Sequence, residues 1–100
     1  MHLGSTGCGA TDDLTTPPEQ PCTNPNRVDV EFDRFDVEDN TVVADFAALV
    51  DGAPLRTNAE GTPAGCMSAP DDADCGPVFE NLGLPFGDQP AGTQTFFSVD

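Results

Sequence analysis

The 100-residue sequence contains no lysine, no tryptophan, no tyrosine, no isoleucine and a single histidine. Its basic side chains are Arg27, Arg34 and Arg56, set against 18 carboxylates, for a formal net charge of −15. A surface this acidic repels phosphate backbones and anionic headgroups, so neither nucleic acid nor an anionic membrane is expected as a partner. No apolar run approaches the length of a membrane-spanning helix, and no membrane insertion is expected. Met1 and His2 are not followed by a charged and then an apolar signal region. If the protein is exported, its export signal is therefore expected outside this sequence. Large apolar residues are also scarce: Leu, Val and Phe together number 21. Fixing the backbone costs roughly 1–2 kcal/mol per residue, so a core this thin calls for crosslinks or for further chain to pack against.

What the sequence does have is four cysteines, Cys8, Cys22, Cys66 and Cys75. Zinc sites usually show two close cysteine pairs, and these spacings are far wider. Thiol catalysis needs a neighbouring base, and His2 has nothing in the sequence to orient it toward Cys8. Disulfides, and with them an oxidising compartment, are the expected use. Of three possible connectivities, Cys8–Cys22 and Cys66–Cys75 are expected, because each closes a proline-containing polar loop locally. Each such closure is worth about 3 kcal/mol in the chain-entropy model.

The stretch from Gly65 to Phe79, GCMSAPDDADCGPVF, organises the rest. Its loop carries Pro70, Asp71, Asp72 and Asp74 and has no apolar reason to hold one shape, so a staple across its ends is the economical solution. Apolar residues at helical spacing then predict a short helix over 76–82, with Gly83 as its stop. Upstream, residues 1–4 read as the start of a strand that breaks at Gly4, and 10–25 as a loop. Arg27–Phe35 alternates, with Val28, Val30 and Phe32 on one side and Asp29, Glu31 and Asp33 on the other, predicting a half-buried strand. Thr41–Ala44 resumes an extended run, giving a hairpin over about 28–45. Asp45 is placed to cap a brief helix, Phe46–Val50, ending at Gly52. Residues 53–65 read as a second loop, and Thr93–Val99 as a closing strand. The fold class is mainly β: a small, loop-rich, disulfide-stapled antiparallel domain, partly sandwich-like, with two short helices.

Few side chains promise chemistry. A lone histidine near a chain end is usually a bystander, but His2 enters a turn that Cys8 can anchor, and a metal ligand needs a fixed backbone behind it. One imidazole does not make a metal site, so partners must come from elsewhere. Met67 is a soft potential copper ligand, although a methionine beside a disulfide more often packs. Asp71, Asp72 and Asp74 could hold calcium, yet they lack the D-x-D-x-D-G order, and a solvated acidic turn is expected. Asp12 and Asp13 are read the same way. No nucleophile–base set, paired-carboxylate cleft or phosphate-binding glycine loop is present, so the chain is not expected to be an enzyme.

The segments HLGSTGC (2–8), CTNPNR (22–27), VVADFAAL (42–49), GCMSAPDDADCGPVFENLGLPF (65–86) and AGTQTFF (91–97) resemble the MbnP-like copper-binding proteins. This metallo-mystery-pair four-cysteine-motif family is similar to the surface proteins MopE and CorA. The resemblance implies a periplasmic, secreted or surface-held protein that works with a di-haem MauG-like partner of the cytochrome c peroxidase type. In the family that partner converts a tryptophan to kynurenine, and copper is bound by the kynurenine with histidines. Carried over, His2 corresponds to a copper-binding histidine, and Cys8, Cys22, Cys66 and Cys75 to the four cysteines. The tryptophan and a second histidine are absent here; in the family they lie before the HLGSTGC segment. The chain is therefore expected to be the C-terminal part of a single MbnP-like domain, contributing His2 to a copper site completed elsewhere. The alternative is a disulfide-stapled extracellular interaction module that binds no metal.

Overall fold

A computed structural model describes residues 1–9 and 15–100; Asp12 and Asp13, with part of the expected 10–25 loop, lie outside the described residues. In chain order the elements are β1 (Val42–Ala44), α1 (Phe46–Leu49), a single 3-10 turn (Ala73–Cys75), α2 (Gly76–Asn81) and β2 (Phe97–Val99). Strands β1 and β2 pair antiparallel, Val42 opposite Val99 and Ala44 opposite Phe97. The ladder is extended by the reciprocal Thr41–Asp100 backbone bonds and by Asp45 N–H donating to the Phe96 carbonyl at 2.8 Å. The first and last regular segments of the described chain are thus zipped together, and the disulfide-bound loop and α2 lie between them in sequence.

The fold class stands, with a modest β content: among the described residues, one two-stranded sheet, two short helices and two disulfides. Within it, the expected 28–45 hairpin does not form, since the partner of β1 is β2. Arg27–Phe35 carries no strand, although Val28, Val30 and Phe32 are half-buried and Asp29, Glu31 and Asp33 exposed, as the alternation requires. An extended chain buries alternate residues whether or not a neighbour completes its ladder, so period-two patterning reports backbone conformation and not pairing. Arg34, at φ +60°, ends the run. The opening segment is likewise no strand; its ladder contact is the isolated Thr6–Asn24 bridge.

Both helices start and stop for local reasons. The Asp45 carboxylate accepts from the Ala47 and Ala48 N–H groups at 2.9 and 3.1 Å, capping α1. Helix α2 ends at Gly83 (φ +72°), whose N–H donates to the Glu80 carbonyl at 2.9 Å while Leu84 N–H donates to Phe79 at 2.8 Å. These two bonds form a Schellman motif, which tucks Leu84 back onto the helix. The Asn81 side-chain amide donates to the carbonyls of Leu49 (3.1 Å) and Asp51 (2.9 Å), tying α2 to the open end of α1. The core is small: Leu49, Val78, Phe79, Leu82 and Leu84, packed around the buried Cys66–Cys75 disulfide. Phe86 joins it with its ring 5.0 Å from that of Phe79.

Candidate functional site

The two disulfides form with the expected connectivity, Cys8–Cys22 and Cys66–Cys75, and no free cysteine remains among the described residues. They flank His2 from two sides. The His2 N–H donates to the Cys66 carbonyl at 2.9 Å, fastening the histidine backbone to the buried bridge. Six residues on, Cys8 is tied to Cys22, and between them the Thr6–Asn24 bridge and the Asn26 amide, donating to the Gly4 carbonyl at 2.6 Å, hold the intervening turn. The staple and fixed backbone expected behind His2 are therefore in place.

The ring itself is exposed. Its Nδ1 lies 3.4 Å from the Ser68 hydroxyl, and its Cε1 edge lies across Gly4, where a Cβ would stand 2.5 Å from it. Ser68 is buried and holds φ +63°, a conformation that L-residues seldom adopt. Sequence reasoning treated Gly4 as a strand breaker and did not single out Ser68. A buried serine at positive φ has no signature in composition, whereas a glycine two residues after a histidine is a weak sign of close approach.

The acidic loop departs from both readings of it. Only Asp71 is exposed, while Asp72 and Asp74 are buried. Asp72 accepts from Met67 N–H at 2.8 Å and from Asp74 N–H at 3.1 Å. Asp74 accepts from Ala59 N–H and from the Thr62 hydroxyl, each at 3.1 Å through Oδ2. Their oxygens are taken by protein donors, so these carboxylates organise the loop and its neighbour over 59–62; they form neither a solvated turn nor a calcium cage. Replacing Asp72 with Ala strands two N–H donors that now bond a charged acceptor, which should cost about 3 kcal/mol. Asp71→Ala should stay within about 0.5 kcal/mol. Urea denaturation of both variants checks the contrast, and equal midpoints would contradict it.

Among the described residues no group of three or more His, Cys, Asp or Glu side chains could hold a metal ion. His2 stands as one imidazole, suited to be a single ligand and not a complete set. Met67 is 41% exposed and is not part of the buried core. A groove of about 450 Å³ runs past Met1, Phe46, Val50, Leu55 and Val78. Phe46 and Leu55 are 64% and 71% exposed.

No family model matches the sequence, and no curated protein matches it. A solved structure does: MbnP from Methylosinus trichosporium is similar at 35% identity and a TM-score of 0.78. The match covers 99% of this chain and 37% of that one. The chain is thus similar to MbnP in sequence and in fold, and it spans a little over a third of that protein's length.

Proposed function

We propose that this chain is part of an exported, non-enzymatic copper-binding protein, in which His2 supplies one imidazole to a site completed by other parts of a longer MbnP-like chain. The observation that carries the reading is an exposed histidine ring, held by its own backbone and by two disulfide-anchored neighbours, in a chain 35% identical to MbnP. Disulfides suit the periplasm or the cell exterior, where such a protein would meet copper before the cytosol does. Imidazole nitrogen is a good copper donor, but a single one is readily displaced by water, so tight capture needs the other ligands. In this reading they include a modified tryptophan produced by a di-haem MauG-like partner. Copper is the cargo, and the part of these residues is to present one nitrogen at a fixed place.

The surface supports the need for more chain. The accessible area is 7325 Å², whereas a compact protein of 10.4 kDa exposes roughly 5,400 Å². The radius of gyration is 15.7 Å, against about 13 Å for a compact chain of this length. Such an excess, with Phe46 and Leu55 uncovered, suits a chain that packs against more protein.

The test is a copper(I) competition titration of the full-length gene product and its His2→Ala variant. Affinity should fall at least tenfold in the variant, with the melting temperature moving no more than an exposed substitution warrants. Unaltered affinity would refute the role of His2. The second reading, an interaction module that binds no metal, draws on the same groove and exposed Phe46 and Leu55. It is favoured if the full-length protein binds no copper.

A further inference from the structure

We infer that Gly4 and Ser68 are positioning residues that hold the His2 ring in one orientation and one tautomer, with Nδ1–H donated to the Ser68 hydroxyl and Nε2 kept open for a ligand. The inference deepens the copper reading and rests on it for the identity of that ligand, but the geometry stands apart from any metal. Three observations converge on the ring. Nδ1 lies 3.4 Å from Ser68 Oγ, while Nε2 has no hydrogen-bond partner among the described residues. The ring is laid so closely over Gly4 that an added Cβ would come within 2.5 Å of Cε1 and 3.1 Å of Nε2. Ser68 is 3% exposed and held at φ +63°, one residue beyond Met67, whose N–H the buried Asp72 carboxylate grips at 2.8 Å.

A buried serine in a sparsely populated backbone region persists only where its surroundings impose it, and such places cluster at sites of function. Here the chain just before Ser68 is fixed twice, by the Asp72 carboxylate on the Met67 N–H and by the Cys66–Cys75 bridge. The hydroxyl is delivered to Nδ1, which leaves Nε2 as the nitrogen open to a metal. A ligating histidine ordinarily donates its other N–H in this way, fixing the tautomer and aiming the free lone pair. Gly4 does the complementary work from below. With no Cβ, it leaves room for the Cε1 edge of the ring, and Asn26 in turn holds the Gly4 carbonyl at 2.6 Å.

The two residues can be tested without disturbing the fold. The atom that a Gly4→Ala methyl group would meet is the far end of the His2 side chain, so the ring swings away and the backbone stays. The φ of Gly4 lies outside the left-handed region, so alanine is not strained there. Ser68→Gly removes the hydroxyl while relaxing the positive φ, which separates loss of the hydrogen bond from loss of stability. The readout is nitrogen-15 NMR of the His2 imidazole in the metal-free full-length chain near pH 9, where imidazoles are neutral. The wild-type ring should show the Nδ1–H tautomer and a nuclear Overhauser contact to Ser68. Gly4→Ala and Ser68→Gly should lose the contact, drift to the tautomer mixture of a free imidazole, and keep the wild-type melting temperature. Copper(I) competition on the same variants should then show affinity lowered by about 10–100-fold. A wild-type ring that already samples both tautomers without contact to Ser68 overturns the inference, as do variants whose ring signals match wild type. If His2→Ala leaves copper affinity unchanged while the wild-type ring is locked and the variants free it, the positioning stands and the copper reading falls.

Discussion

Reducing both disulfides is expected to unfold the chain, collapsing its amide NMR dispersion to that of a random coil. Loss of each bridge returns about 3 kcal/mol of conformational freedom to the unfolded state in the chain-entropy model. A small domain has a net stability of about 5–15 kcal/mol, so the pair accounts for much or all of it. Among the described residues two of the seven core positions are the cysteines of the buried bridge, and five large apolar residues make the rest. The two bridges should not open together. Cys8 is exposed, whereas Cys75 is fully buried and Cys66 nearly so, which shields the second bridge from a thiolate until the core opens. Graded reductant followed by alkylation and mass measurement should therefore show a two-thiol species that still has a folded core. The four-thiol species should appear with unfolding. Cys66→Ala/Cys75→Ala should accordingly be more damaging than Cys8→Ala/Cys22→Ala, because it also leaves a cavity beside Phe79 and frees the loop that anchors the His2 backbone. A dispersed spectrum from a chain with four free thiols would show that the apolar core suffices.

Much of this was legible in the residues, and where it was not, the reason is physical. The disulfide connectivity was readable because short polar loops with a cysteine at each end leave few other ways to be ordered. The helix boundaries at Asp45 and Gly83 were readable because caps act through their nearest neighbours in sequence, whereas α1 stops at Leu49, short of the expected Gly52. Strand partners were not: Val42–Ala44 and Phe97–Val99 meet across more than fifty residues, and no local pattern records which extended segment lies beside which. The acidic loop misled for a related reason. Carboxylates in a row read as solvent-facing, yet Asp72 and Asp74 are buried because backbone N–H groups from Met67 and Ala59 reach them, and those donors are the same in every sequence. The site shows both sides at once. His2 could be picked out by chemistry and by resemblance, while Ser68, which touches it from sixty-six residues away, could not.

Phe79→Ala is expected to be the most damaging single substitution outside the cysteines. Phe79 is 2% exposed, stacks obliquely on Phe86 at a ring separation of 5.0 Å, and its carbonyl receives the Leu84 N–H that closes α2. Truncating a buried phenylalanine typically costs about 3–5 kcal/mol, through lost transfer energy and through the cavity left behind. In a large protein the surroundings could relax into the gap. Here the neighbours are a disulfide, a Schellman turn and a helix of six residues, none of which can move inward without breaking its own hydrogen bonds or geometry. The cost should therefore lie at the upper end of that range and consume a large part of the typical 5–15 kcal/mol. Phe46 supplies the control: it opens α1 yet is 64% exposed, so Phe46→Ala should fall within about 0.5 kcal/mol of wild type. Urea denaturation followed by far-ultraviolet circular dichroism separates the two. If Phe79→Ala is too unstable to isolate, Phe79→Leu keeps most of the volume and should give an intermediate midpoint. Equal midpoints for the Phe79 and Phe46 variants would mean that the stability resides in the sulfur bridges alone, with the apolar cluster merely filling space between them.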